Sequence, residues 1–186
     1  LLNDGAAAFA YNVEGKNQWA LERKFEFYGY YDGSGYSVSG IYIKVPKDGT
    51  ASLFGNIGHI NRASGAVKNL TIIDSYIYTY NGTVAVIAGE NYGSIENCRT
   101  SETVKLTGGS ISGICTSNFG TISVCENRAA LDATEHINYS VYGSTVSGIT
   151  ESNKGSILSC SNYGELTGDY VGGIAYQSYS DGDESI

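Results

Sequence analysis

Apolar side chains recur at fixed offsets along this chain, in a phrase of fifteen residues that occurs three times, at 84–98, 111–125 and 146–160. Its order is apolar, small, small or Val, Ile, small, two variable residues, Asn, any residue, Gly, Ser or Thr, Ile, two variable residues, Cys. Asn91, Asn118 and Asn153 therefore correspond, as do Gly93, Gly120 and Gly155, Ile95, Ile122 and Ile157, and Cys98, Cys125 and Cys160. The Ile and the Cys lie three residues apart, an offset that cannot put both on one face of a straight strand whose side chains alternate with period two. A backbone bend between them lets both point inward, as a flattened, cornered coil requires. Repeats of about 25 to 35 residues that bury their apolar side only against neighbours form solenoids. The pattern thus predicts an all-β, parallel β-solenoid whose windings pair about 4.8 Å apart, with matching residues of successive windings lying over one another.

Outside the three copies the pattern is weaker. Residues 1–24 read as an N-terminal cap, with a short helix over Asp4–Asn12, Asp4 as its N-cap and Trp19 as an anchor. Such a cap would cover strand edges that otherwise invite pairing. Coils are expected over 25–175: the aromatic, glycine-broken run Phe25–Ile43, a loop at Pro46–Gly49, the half-phrase Gly65–Leu70, a strand over Thr71–Tyr80, and a partial copy at 171–175. Corresponding cysteines are 27 and then 35 residues apart, which places an insertion within Asn127–Gly143. Residues 176–186 read as a polar tail. Each Asn is expected inside a turn, its amide hydrogen-bonding the backbone of its own winding or the next. The Gly two residues later is expected at positive φ.

Composition fits short strands and turns: the 186 residues include 25 Gly, 16 Tyr and a single Pro. A formal charge of -8 argues against nucleic acid or an anionic membrane surface as a partner, since both need a cationic face. No apolar stretch approaches the roughly 20 residues of a membrane span, and no basic, apolar leader stands at the start. The sequence has no Met, which suggests a piece of a longer polypeptide. Cys98, Cys125 and Cys160 stand where the half-phrase has Leu70, and Cys115 stands where the other copies have Ala88, Thr150 and Ala175. Positions that accept Leu or Ala are core positions, so buried free thiols are expected rather than disulfides or metal ligands.

Chemistry is sparse. His59 and His136 have no partner at metal-binding spacing, and no Ser lies in a nucleophile elbow. Glu90 and Glu96 face Ser117 and Ser123 in the next copy, so no row of paired carboxylates arises. Asp181, Asp183 and Glu184 read as a solvated acidic end without calcium-loop spacing. No catalytic residue, metal or cofactor is assigned. The residues best suited to recognition are Tyr76, Tyr78 and Tyr80, which alternate on one strand face where flat rings can stack on sugars; cross-strand packing, or an edge contact with an inserted loop, is the commoner explanation of such a row.

The phrase resembles the GLUG repeat of bacterial surface proteins, with Val171-Gly-Gly-Ile-Ala175 and Ala88-Gly-Glu-Asn-Tyr-Gly-Ser-Ile-Glu-Asn-Cys98 as its nearest matches. Tyr28–Ile43, Leu53–Gly55 and Val67–Leu70 are similar to the entry coils before such repeats. Departures are Val86 in place of Gly, Thr116 and Glu151 in place of another, and the insertion after Cys125. The resemblance implies a right-handed parallel β-solenoid, extracellular, secreted or attached to the cell surface, and noncatalytic. It implies an adhesin-like role toward a protein or glycan on a host or neighbouring cell. The alternatives are a carbohydrate-binding module using exposed tyrosines, or a noncatalytic part of a larger secreted peptidase.

Overall fold

The computed structural model describes residues 26–45, 49–134 and 143–179. The expected helix and the rest of the 1–24 cap, His136 and the Asp181–Glu184 cluster lie outside the described residues. Within them the chain is a parallel β-solenoid of five windings and the start of a sixth, with five short strands per winding and no α-helix. One side stacks six strands: Glu26–Phe27, Phe54–Ile57, Ala88–Asn91, Cys115–Asn118, Thr150–Asn153 and Ala175–Ser178. Three further sides stack five strands each, and the remaining one is divided into a three-stranded sheet and a two-stranded sheet. Every pairing between these strands is parallel and joins successive windings, as Asn91 pairs with Asn118 and Asn118 with Asn153. The last strand runs to Ser178, beyond residue 175 where the repeat phrase gives out.

Register fixes the core. Val67, Ile95, Ile122 and Ile157 form one inward column, and the first three are fully buried. Ala51, Val84, Ile111, Val146 and Val171 form another. In the second, Val146 is inaccessible while Val171 is 47% exposed. The difference is positional, because among the described residues only Ala175–Ser178 follow the winding that carries Val171.

At the turn after the six-strand side, like meets like. Asn91 Nδ2 donates to Asn118 Oδ1 at 2.8 Å, and Asn118 Nδ2 donates to Asn153 Oδ1 at 2.8 Å. The ladder ends on Ser178, whose Oγ accepts from Asn153 at 3.3 Å. The same amides reach backbone carbonyls of Thr121 and Ser156 in the following winding and of Gly120 in their own. All three Asn side chains are buried, so these bonds satisfy groups that water cannot reach. A second amide ladder, invisible in the phrase because it lies beyond the Cys, joins Asn127 Nδ2 to Asn162 Oδ1 at 2.8 Å.

The expectation of positive φ at Gly93, Gly120 and Gly155 is overturned: none of them is in the left-handed region. They are glycine because the windings touch there. A Cβ would lie 2.0 Å from the Gly65 carbonyl oxygen at Gly93, 2.2 Å from that of Gly93 at Gly120, and 2.1 Å from that of Gly120 at Gly155. The left-handed residue is instead the one just before each Cys: Asn97 (φ 48°), Val124 (φ 53°) and Ser159 (φ 52°), with Asn69 (φ 53°) before Leu70. This is the bend that the three-residue offset of Ile and Cys demands. Asn tolerates that conformation, whereas a β-branched Val is strained in it. Asn97 Nδ2 also donates to Asn69 Oδ1 at 2.8 Å, and Val124 interrupts that short ladder.

The thiols lie inside the corner. Cys98, Cys115 and Cys125 are free and buried, but Cys160 is free and only half-buried, so the expectation of four equally protected thiols is corrected for this one. The backbone N–H of Cys98 points at Cys125 Sγ, and that of Cys125 at Cys160 Sγ, each at 3.4 Å. The neighbouring Cys125 thiol, assisted by that N–H, lowers the Cys160 thiol to about 7 against the opposing effect of burial. Burial raises the Cys115 thiol above the ordinary range.

Three outcomes are expected. Val124→Asn relieves the strained corner and raises stability by about 1 kcal/mol, a rise in Tm of roughly 2–4 °C for a chain of this size; an unchanged or lower Tm would show that the corner carries no strain. Gly120→Ala places a methyl group against backbone that cannot step aside and destabilises by roughly 2–3 kcal/mol, measured by urea unfolding. With a colourless disulfide reagent such as DTNB, Cys160 alone reacts rapidly in the native protein, its rate rising through pH 7 and levelling above it as thiolate fraction saturates. Mass mapping that finds Cys98 or Cys125 labelled as fast would contradict the assigned corner.

Candidate functional site: an outward tyrosine and lysine face

Strands Tyr42–Val45, Tyr76–Thr79 and Lys105–Thr107 form the three-stranded sheet. Their alternation of side chains divides cleanly: Ile43, Ile77 and Leu106 pair in register and are buried. The opposite face carries two rows of three. Tyr42, Tyr76 and Lys105 form one row; Lys44, Tyr78 and Thr107 form the other. At about 4.8 Å between strands and 6.8 Å between alternate residues, the six side chains cover an area about 10 Å by 7 Å.

Tyr76 and Tyr78 thus share an outward face, as the alternation implies. Both are half-buried, whereas Tyr80, past the end of its strand at a bend, is exposed. What sequence reasoning missed is Tyr42, Lys44 and Lys105. Tyr42 is 44% exposed and its ring centroid stands 5.7 Å from that of Tyr76, tilted by 39°. Tyr76 and Tyr78 are 6.2 Å apart at 33°, and Lys44 Nζ stands 5.5 Å from the Tyr78 centroid. Lys44 and Lys105 are exposed, and none of the six positions is a carboxylate. The only sequence signal was the pattern Tyr-Ile-Lys-Val beside Tyr-Ile-Tyr-Thr, and aligning the two needs the winding register, which these imperfect copies hide.

Other aromatic columns are arranged differently. Tyr92 and Phe119, the variable residues between Asn and Gly, stack at 4.6 Å and 5°. One face of each ring covers the other, the Tyr92 ring also lies 6.1 Å from that of His59, and Phe119 is 37% exposed. Tyr92 also donates to Glu90 at 3.1 Å, and burial followed by that carboxylate raises its phenol to about 12. Lys154 and Tyr179 continue this column, 5.4 Å apart, and Arg128 stands 5.2 Å from the Tyr163 centroid on another side.

The remaining candidates do not assemble. His59 is part-exposed, with Nε2 3.7 Å from a Glu26 carboxylate oxygen. Glu90 accepts from Asn56 Nδ2 at 3.1 Å, and Glu96 pairs in register with Lys68 and Ser123. Among the described residues no group of three or more His, Cys, Asp and Glu is placed to hold a metal ion. The tyrosine and lysine face can therefore stack, donate hydrogen bonds and attract anions.

No family profile matches the chain, and no solved structure matches it. Over 74 residues, 38% of the chain, it is 36% identical to a protein of Evansella cellulosilytica named as a Gly-rich membrane protein. The matched part spans 8% of that protein's length.

Proposed function

We propose that this chain is a noncatalytic, extracellular segment of a bacterial surface protein, a rigid adhesin-like scaffold that presents recognition faces to a protein or glycan on another surface. The observation that carries the reading is the division of labour within each winding. The repeated Asn, Gly, Ile and Cys positions all serve winding-to-winding stacking. Outward positions vary from copy to copy, as in Glu96, Ser123 and Leu158, or Arg99, Glu126 and Ser161. Such a body holds varied surface side chains at fixed spacing without moving parts. The resemblance of the phrase to the GLUG repeat supports a surface location, and so does similarity to a protein named for a membrane. No helix among the described residues is long and apolar enough to cross a membrane.

Beads coated with the folded 186-residue chain should attach to bacterial or host cells above beads coated with the same chain unfolded. Dense display multiplies a weak single contact by roughly 10²- to 10⁴-fold, so even millimolar recognition becomes countable. Equal attachment by folded and unfolded coatings, across a panel of cell types, would remove the adhesive reading.

A further inference from the structure

We propose that the outward face of the Tyr42–Val45, Tyr76–Thr79 and Lys105–Thr107 sheet binds an acidic oligosaccharide, with a sugar ring over Tyr42 and Tyr76 and carboxylate or sulfate groups against Lys105 and against Lys44, which stands over Tyr78. This rests on the scaffold reading and adds to it a place and a ligand class.

Ring geometry selects this face over the other aromatic columns. A sugar stacks on an aromatic ring through its C–H face, so the ring must offer a face and not an edge. Tyr92 and Phe119 meet that requirement less well, each having one face closed on the other at 4.6 Å and 5°. Tyr42 and Tyr76 are tilted by 39° with centroids 5.7 Å apart, so neither ring lies flat on the other, and Tyr42 is 44% exposed. Their positions are held by a backbone ladder and by the buried Ile43, Ile77 and Leu106 beneath, so little freedom is lost when a ligand settles.

Charge selects the ligand. The chain carries a formal charge of -8, with 19 acidic residues against 11 basic, yet this face has two exposed lysines and no acid among its six outward side chains. The lysines occupy opposite corners of the grid: Lys105 ends the Tyr42–Tyr76 row and Lys44 begins the row of Tyr78 and Thr107. Ammonium groups flanking ring faces complement a sugar that bears an anion beside its apolar face. A neutral sugar would give neither ammonium an anion to meet. An acidic protein surface is a weaker match, because an acidic side chain brings no flat C–H face to the Tyr42 and Tyr76 rings.

The test is calorimetric titration of the whole chain with tetragalacturonate, with a heparin-derived tetrasaccharide, and with neutral cellotetraose. The two acidic probes distinguish carboxylate from sulfate recognition. At least one acidic probe is expected to bind, about tenfold or more tighter than cellotetraose at low salt, and to weaken as salt rises. Tyr76→Ala should weaken it about tenfold. The Lys44→Gln, Lys105→Gln pair, at exposed positions whose loss leaves the core untouched, should weaken it comparably and remove most of the salt dependence; it decides the matter where Tyr76→Ala disturbs folding. Silence with both acidic probes, equal binding of cellotetraose, or binding that survives the double lysine change overturns the assignment. Silence in this titration while coated beads still attach to cells would sink the glycan face alone, whereas loss of bead attachment would sink the scaffold reading on which it stands.

Discussion

In-register stacking of windings about 4.8 Å apart is the constraint from which the remaining features follow. Each residue meets its own counterpart directly above and below, so every column must tolerate a stack of itself. Apolar columns meet the condition by burial, as with Val67, Ile95 and Ile122. A polar column meets it only when the side chain both donates and accepts. Asn does so: the amide of Asn91 donates to Asn118, whose amide donates to Asn153. Asp or Lys stacked in the same place would repel its neighbours without water to screen the charge. The amide ladders therefore fix which windings are neighbours as well as satisfying the turns.

The corners show how the same constraint acts on the backbone. Where windings come closest, a carbonyl of one lies where a side chain of the next would start, and Gly93, Gly120 and Gly155 are the answer to that contact. Where the chain bends, the left-handed conformation falls on Asn69, Asn97, Val124 and Ser159. Three of these four are small polar residues suited to it, and Val124 is an exposed exception that the stacked corner holds in place. The Cys after each bend is then a volume filler, interchangeable with Leu70, and only the incomplete covering of the last full winding makes Cys160 reachable.

Because stacking occupies the inward and corner positions, the outward faces are free to differ. The closed Tyr92–Phe119 stack and the open Tyr42–Tyr76–Tyr78 group are built from the same residue types on the same ladder. They differ because the first pair sits at a tight turn where rings follow the winding axis, while the second lies on a flat sheet where alternate residues of one strand also meet.

The sequence by itself determined the architecture. An offset of three between Ile95 and Cys98 requires a bend, a recurring phrase requires equivalent windings, and Asn at the same place in each copy requires a ladder. These are local or periodic facts, and periodicity survives in one dimension. Tertiary structure alone decided two things. It decided why Gly93 and its counterparts are glycine, since a clash with a carbonyl 28 residues or so earlier cannot be told from a need for positive φ in a string of letters. It also decided the candidate site, since Tyr42, Lys44 and Lys105 join Tyr76 and Tyr78 only through the register of windings whose lengths vary with their loops. Side chains brought together by pairing across windings leave no spacing rule in the chain, and that is the physical reason the scaffold could be read and its surface could not.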